Sequence, residues 1–149
     1  MDDDHRTTGM GLWTDAREML QAAELVAGDR SLALSSPAFY LAGHGLEVAF
    51  KSYLRCCGHS LKALRAIGHD LEAAAQEASA QGLDQYYRLS IQESAAIALL
   101  SPYYKAKHFE YRVAGYQSLP DPVSLIALGN KLLAATRDRC IASVGAART

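Results

Sequence analysis

Residues 36–58, "SPAFYLAGHGLEVAFKSYLRCCG", carry both a start and a stop for one long helix, and that helix constrains the rest of the chain. Ser36 is the expected N-cap, with Pro37 at the first helical position, where an absent N–H has no intrahelical partner to lose. Gly58 is the expected stop, because a residue without a β-carbon can take the left-handed cap. Between them Phe39, Ala42, Leu46, Ala49, Phe50, Tyr53 and Cys57 recur at helical spacing. An apolar side of that length has to be covered, and the remaining sequence offers further helices to cover it.

From Thr14, an expected N-cap, "DAREMLQAAELVA" places Leu12, Ala16, Met19, Ala23 and Val26 on one face, and Gly28 with Asp29 ends the run. "SLKALRAIG" reads as a short helical turn closed by Gly68, and "HDLEAAAQEASAQG" as a helix from about Asp70 to Gly82. "LDQYYRLSIQESAAIALL" aligns Leu83, Tyr87, Ile91, Ala95 and Ala98, with Pro102 expected just beyond its end. Asp121 and Pro122 open a last helix whose shared face is Ile126, Gly129, Leu133, Thr136 and Cys140. Period-two alternation and Asn-Gly or Asp-Gly turns are missing, so strands are not expected. The expected fold is all-α, an antiparallel bundle of four to five helices. One domain over 11–142 is expected, between a disordered tail at 1–10 and a frayed tail at 143–149.

A chain of 149 residues, half of them hydrophobic, is long enough for one filled core. Fifteen basic against 16 acidic residues leave no global field to gather a polyanion, so a nucleic-acid contact would need a local basic patch. No run of about 18 apolar residues suggests a membrane helix, and "MDDDHRTTGM" lacks the pattern of a signal peptide. Three cysteines, two adjacent, make a poor disulfide framework, so reduced thiols in a cytoplasmic protein are expected. Cys56 and Cys57 point in different directions on a helix and cannot both meet Cys140.

Two regions carry candidate chemistry. On the long helix Tyr40, His44, Glu47, Lys51 and Arg55 line a second stripe, with Glu47 and Lys51 four apart. One reading makes Glu47 a base or anion partner in a polar cleft, with His44 moving protons. The other makes the stripe a solvated face braced by a Glu-to-Lys pair. Gly43 and Gly45 point to close packing there, since glycine inside a helix is otherwise unfavourable. Residues 101–121, "SPYYKAKHFEYRVAGYQSLPD", break the helical pattern and concentrate rings and positive charge at Tyr103, Tyr104, Lys105, Lys107, His108, Tyr111 and Arg112. That mixture suits stacking on bases with phosphate contacts. It equally suits a long connector pinned by its rings, or a protein interface. Asp70 serves as a cap, which accounts for the His69–Asp70 pair without further chemistry. The spacing of His44, Glu47, His59, His69, Asp70 and His108 fits no dedicated metal site, and no cofactor is expected. No Gly-x-Ser-x-Gly elbow and no phosphate-binding loop is present.

Over residues 15–140 the chain resembles the HEPN domain family. The likeness lies in Glu47 and Lys51 one turn apart, in the Gly68–Leu71 run "GHDL", and in "LLSPYYKAKHFEYR" with its aromatic-Arg pair Tyr111 and Arg112. The resemblance implies a five-helix bundle that is commonly a homodimer. It also implies association with a nucleotidyltransferase in toxin–antitoxin pairs, or with nucleic-acid-processing machinery. Many members are metal-independent endoribonucleases with an Arg followed, after four to six residues, by a His. Here Arg55 and His59, and Arg65 and His69, have only three residues between them. The departure points to a non-catalytic module binding a nucleotide, RNA or a partner protein through Glu47, Lys51, Tyr104, Lys107, Tyr111 and Arg112. The alternative is an endoribonuclease with a rearranged site, drawing on Arg112 with His108 or His69, and with His44 as a further proton carrier.

Overall fold

The computed structural model describes residues 5–106 and 119–146. The chain is an all-α helical bundle, 77% helical, with no strand among the described residues. Its elements are α1 (Gly9–Ala27), α2 (Ser36–Cys56), α3 (Leu61–Ile67), α4 (Leu71–Ala80), a 3₁₀ turn at Leu83–Gln85, α5 (Ile91–Lys105) and α6 (Pro122–Ala146).

Side-chain caps set most of the helix starts. Thr8, Ser35, Ser60, Asp70 and Ser90 each accept the amide three residues on, satisfying one of the donors a helix start leaves open. Asp121 Oδ1 accepts from Val123 N at 3.0 Å, as a cap for α6. Two expected starts are displaced. Thr8 caps the first helix, so residues 9 and 10 are helical; Thr14 turns its hydroxyl back to the Met10 carbonyl at 3.1 Å. Ser35, one residue before the expected Ser36, caps α2. At the other end, helix continues through 143–146.

The expected helix from Leu83 is corrected more deeply. Leu83–Gln85 form the 3₁₀ turn, the chain then runs irregularly, and α5 begins at Ile91 under a reciprocal box of Ser90 and Glu93. Of the face expected from Leu83 onward, Leu83 is buried and Tyr87 packs partly buried against the core, but Ile91, 88% exposed, Ala95 and Ala98 face outward, while Ile97, Leu100, Ser101 and Tyr104 point inward. Pro102 lies inside the helix, which continues to Lys105, so 101–105 belong to α5 and not to a connector.

Pairings of side chains fix the helix directions. Gly9 lies beside Cys56 and Leu20 beside Gly45, so α1 and α2 are antiparallel. Trp13 Nε1 donates to the Leu133 carbonyl at 2.8 Å and Leu20 lies beside Gly129, so α1 is also antiparallel to α6. The core joins Phe39, Leu46, Phe50 and Tyr53 of α2 with Leu71, Leu100 and Leu128. Burying a side chain of this size fully contributes about 1.5–3 kcal/mol. The shared face expected on α6, from Ile126 to Cys140, is buried. The three cysteines are free thiols. No helix among the described residues is long and apolar enough to cross a membrane.

Candidate functional site

The stripe on α2 is no solvated face. Glu47 is 4% exposed, and its carboxylate is engaged from three sides. Lys51, one turn on, donates to Oε2 at 2.8 Å. Tyr104, from the last turn of α5, donates to Oε1 at 2.6 Å. His69, ahead of α4, places Nδ1 2.8 Å from the same oxygen. Burial pushes the Glu47 carboxyl up, but hydrogen bonds from His69, Lys51 and Tyr104 outweigh it and hold the group below the usual range. Glu47 is therefore an ionised, buried and satisfied carboxylate.

The turn that delivers His69 is built by Gly68, whose φ of 64° lies in the region that glycine enters without steric cost. That turn exposes the Gly68 carbonyl to Lys51 Nζ at 2.7 Å, so one ammonium ties the carboxylate to the turn. The next residues are His69 and the cap Asp70, whose Oδ1 accepts from Ala73 N at 3.0 Å. Lys105 Nζ reaches Asp70 Oδ2 at 3.2 Å, joining the start of α4 to the end of α5. The Ala73 amide first, and Lys105 after it, holds the Asp70 carboxyl below its ordinary range against burial.

Counting protons fixes the direction of each bond. An ionised carboxylate only accepts, so His69 donates to it through Nδ1–H. The single Tyr104 proton goes to Glu47. His44 Nδ1, 3.1 Å from the Tyr104 oxygen, is then the donor of that pair. The result is a relay from His44 through Tyr104 to Glu47, with His69 entering from the other side. His44 stacks on Tyr40 with ring centroids 5.8 Å apart and planes 10° apart, and His69 meets the Tyr104 ring edge-on at 5.8 Å. His69 is the exposed member, its side chain 46% accessible.

The structure thus brings together His44, Glu47, Lys51, His69 and Tyr104 from three parts of the chain. Lys107, His108, Tyr111 and Arg112 lie outside the described residues. One role is corrected: Tyr104, expected as a stacking surface, is 4% exposed, with its ring on Gly43 and its hydroxyl on Glu47. His44 reaches Glu47 through Tyr104, not directly along the helix. The expected close packing at the helix glycines is present. A β-carbon on Gly43 would lie 2.8 Å from Tyr104 Cδ1, and one on Gly45 would lie 2.7 Å from Leu20. Beside the network a groove of about 380 Å³ is lined by Asp70, Glu72, Ser101, Pro102 and Lys105, among others. Sequence reasoning missed the Gly68 carbonyl as an acceptor and Ser101 as the group that meets Glu72 N.

Among the described residues no group of three or more His, Cys, Asp or Glu side chains is placed to hold a metal. Of the two short-spaced Arg and His pairs, Arg55 donates to the Thr7 carbonyl at 2.9 Å and to the His59 carbonyl at 2.8 Å. His59 instead pairs its ring with Glu77 at 3.0 Å. The chain matches no protein-family model, no curated protein and no solved structure.

Proposed function

We propose that this chain is a HEPN-like binding module for a phosphate-bearing ligand, a nucleotide or single-stranded RNA, and is not itself a nuclease. The observation that carries the reading is the contrast between Glu47, 4% exposed, and the His69 imidazole bonded to it, 46% accessible. A buried carboxylate that fixes the orientation of an accessible imidazole preorganises a polar contact for a ligand. Lys105 and the adjoining groove extend the same face, and the aromatic and basic residues 107–112 continue from it in sequence. The use of Arg55 on backbone carbonyls supports a module without the family's Arg and His chemistry. The same reading carries a homodimer, and a nucleotidyltransferase as the partner in a toxin–antitoxin pair.

The test is fluorescence polarisation with labelled single-stranded RNA and with labelled ATP, using the parent, His69→Gln and Arg112→Ala. Binding by the parent that weakens about tenfold in either variant, a loss of about 1.4 kcal/mol, is the expected result. Absence of binding up to about millimolar ligand removes the reading. The Glu47–His69 pair also favours a second reading, since an oriented imidazole can transfer protons in an endoribonuclease that uses Arg112. Cleavage of cellular RNA in chelator, lost in Arg112→Ala, would replace the first reading with the second.

A further inference from the structure

The groove beside the network is one half of a longer trough. A second groove, of about 330 Å³, shares Glu72 and Gln76 with it and continues between α4 and α5. The two helices run antiparallel there. Glu72 N meets Ser101 Oγ at one end, while Ser79 and Ser94 line the trough at the other. From Ser94 to Lys105 the trough extends about 16 Å at the helical rise. Its ends differ in chemistry. At the polar end Asp70 and Lys105 pair at 3.2 Å, next to His69 in the chain. An ammonium has three donors and Asp70 takes one, so Lys105 keeps capacity for phosphate oxygens. At the other end the floor is apolar: Ala75 and Ile97 are buried, and Leu89 packs partly buried on the core. Glu72 and Gln76 stand between the ends, four residues apart and so neighbours on one face of α4. Among the described residues no hydrogen bond or ion pair occupies the Glu72 carboxylate or the Gln76 amide.

An apolar floor with a few convergent polar groups is the usual form of a small-ligand site. We propose that this trough is a guanine-nucleotide site, with Glu72 as the residue that selects the base. The assignment rests on the reading of the His69 face as a phosphate site and names its ligand. The purine lies on Ala75, Leu89 and Ile97, as bases seat on apolar side chains. The phosphates reach Lys105 and His69. A carboxylate at neutral pH only accepts hydrogen bonds, so its complement is an edge made of donors. Guanine alone among the common bases presents two adjacent donors, N1–H and the 2-amino group, with a carbonyl beside them. Glu72 accepts from the two donors, and the neighbouring Gln76 amide donates to the carbonyl. Adenine and cytosine place a ring-nitrogen acceptor beside their amino group, and that acceptor would face the carboxylate lone pairs. Uracil offers a single N–H between two carbonyls. The phosphate end, by contrast, does not distinguish one base from another.

The full-length chain is titrated calorimetrically with GTP, ITP, ATP and UTP, which share their phosphates and differ in the base. GTP should bind about tenfold or more tighter than ATP or UTP, the discrimination a bidentate pair supplies. ITP keeps N1–H and lacks the 2-amino group, so it should bind several-fold more weakly than GTP. Glu72→Gln should bring GTP and ATP within about twofold of one another. A parent chain without a preference for GTP, ITP matching GTP, or a GTP preference that survives Glu72→Gln overturns the guanine assignment and leaves the phosphate site standing. No binding of any of the four up to about millimolar removes the phosphate site, and this assignment with it. The base preference is read on the parent chain, so it does not depend on a variant folding.

Discussion

Replacing Tyr104 by Phe removes one hydroxyl and leaves the ring on its seat against Gly43. What is lost is a 2.6 Å bond to an ionised carboxylate that is 4% exposed. Hydrogen bonds to charged groups contribute about 1.5–3 kcal/mol. Lys51 and His69 still hold Glu47, and His44 is partly accessible, so water can replace the acceptor it loses. The expected cost is about 2 kcal/mol, the lower part of that range. With a urea slope of about 2 kcal/mol/M, the unfolding midpoint should fall by about 1 M with the slope unchanged. The melting temperature should drop by about 4–8 °C. The effect also has a pH signature. Glu47 is held below its unfolded value of 4.5, so its contribution is complete above that pH and is lost as pH falls through the lower folded value. The gap between parent and variant should therefore narrow below about pH 4. A midpoint within about 0.2 M of the parent at pH 7 would refute the account of Glu47 as a carboxylate dependent on internal donors.

Three further outcomes are expected. Gly43→Ala places a β-carbon 2.8 Å from Tyr104 Cδ1, on a rigid ring, and should cost about 1–3 kcal/mol in urea unfolding. Gly129→Ala, 2.6 Å from Leu20 Cδ1, should cost a similar amount, measured in the same way. Asp70→Ala removes the α4 cap and should cost about 1 kcal/mol at pH 7. Because the Asp70 carboxyl is held below 3.8, that loss should fade as pH drops below about 4, in a thermal melt series.

The helices were legible where their punctuation is local. Asp70 at the start of α4, Asp121 with Pro122, and the stop at Gly58 are read from a few adjacent residues. The start of α5 was also written in the chain, as Ser90 and Glu93 three apart, but the apolar spacing from Leu83 drew the helix too early. At the site, Glu47 and Lys51 are neighbours on any helix, so their contact follows from sequence. The burial of Glu47 does not, because its other donors come from residues 22 and 57 positions away. Pro102 misled for a related reason: it reads as a terminator, yet the helix continues one turn past it and carries Tyr104 to the carboxylate. Only Gly43 and Gly45 hinted from within α2 that another element presses close.

Leu20 of α1 is seated between Gly45 of α2 and Gly129 of α6, each of which would bring a β-carbon within 2.7 Å of it. These positions form one steric unit spread over three helices. In descendants of this sequence a larger residue at 45 or 129 is compatible with the same helix spacing only when residue 20 shrinks with it. The three sites should therefore drift as a correlated set, and the order of changes matters: shortening residue 20 first opens a path that enlarging either glycine first closes.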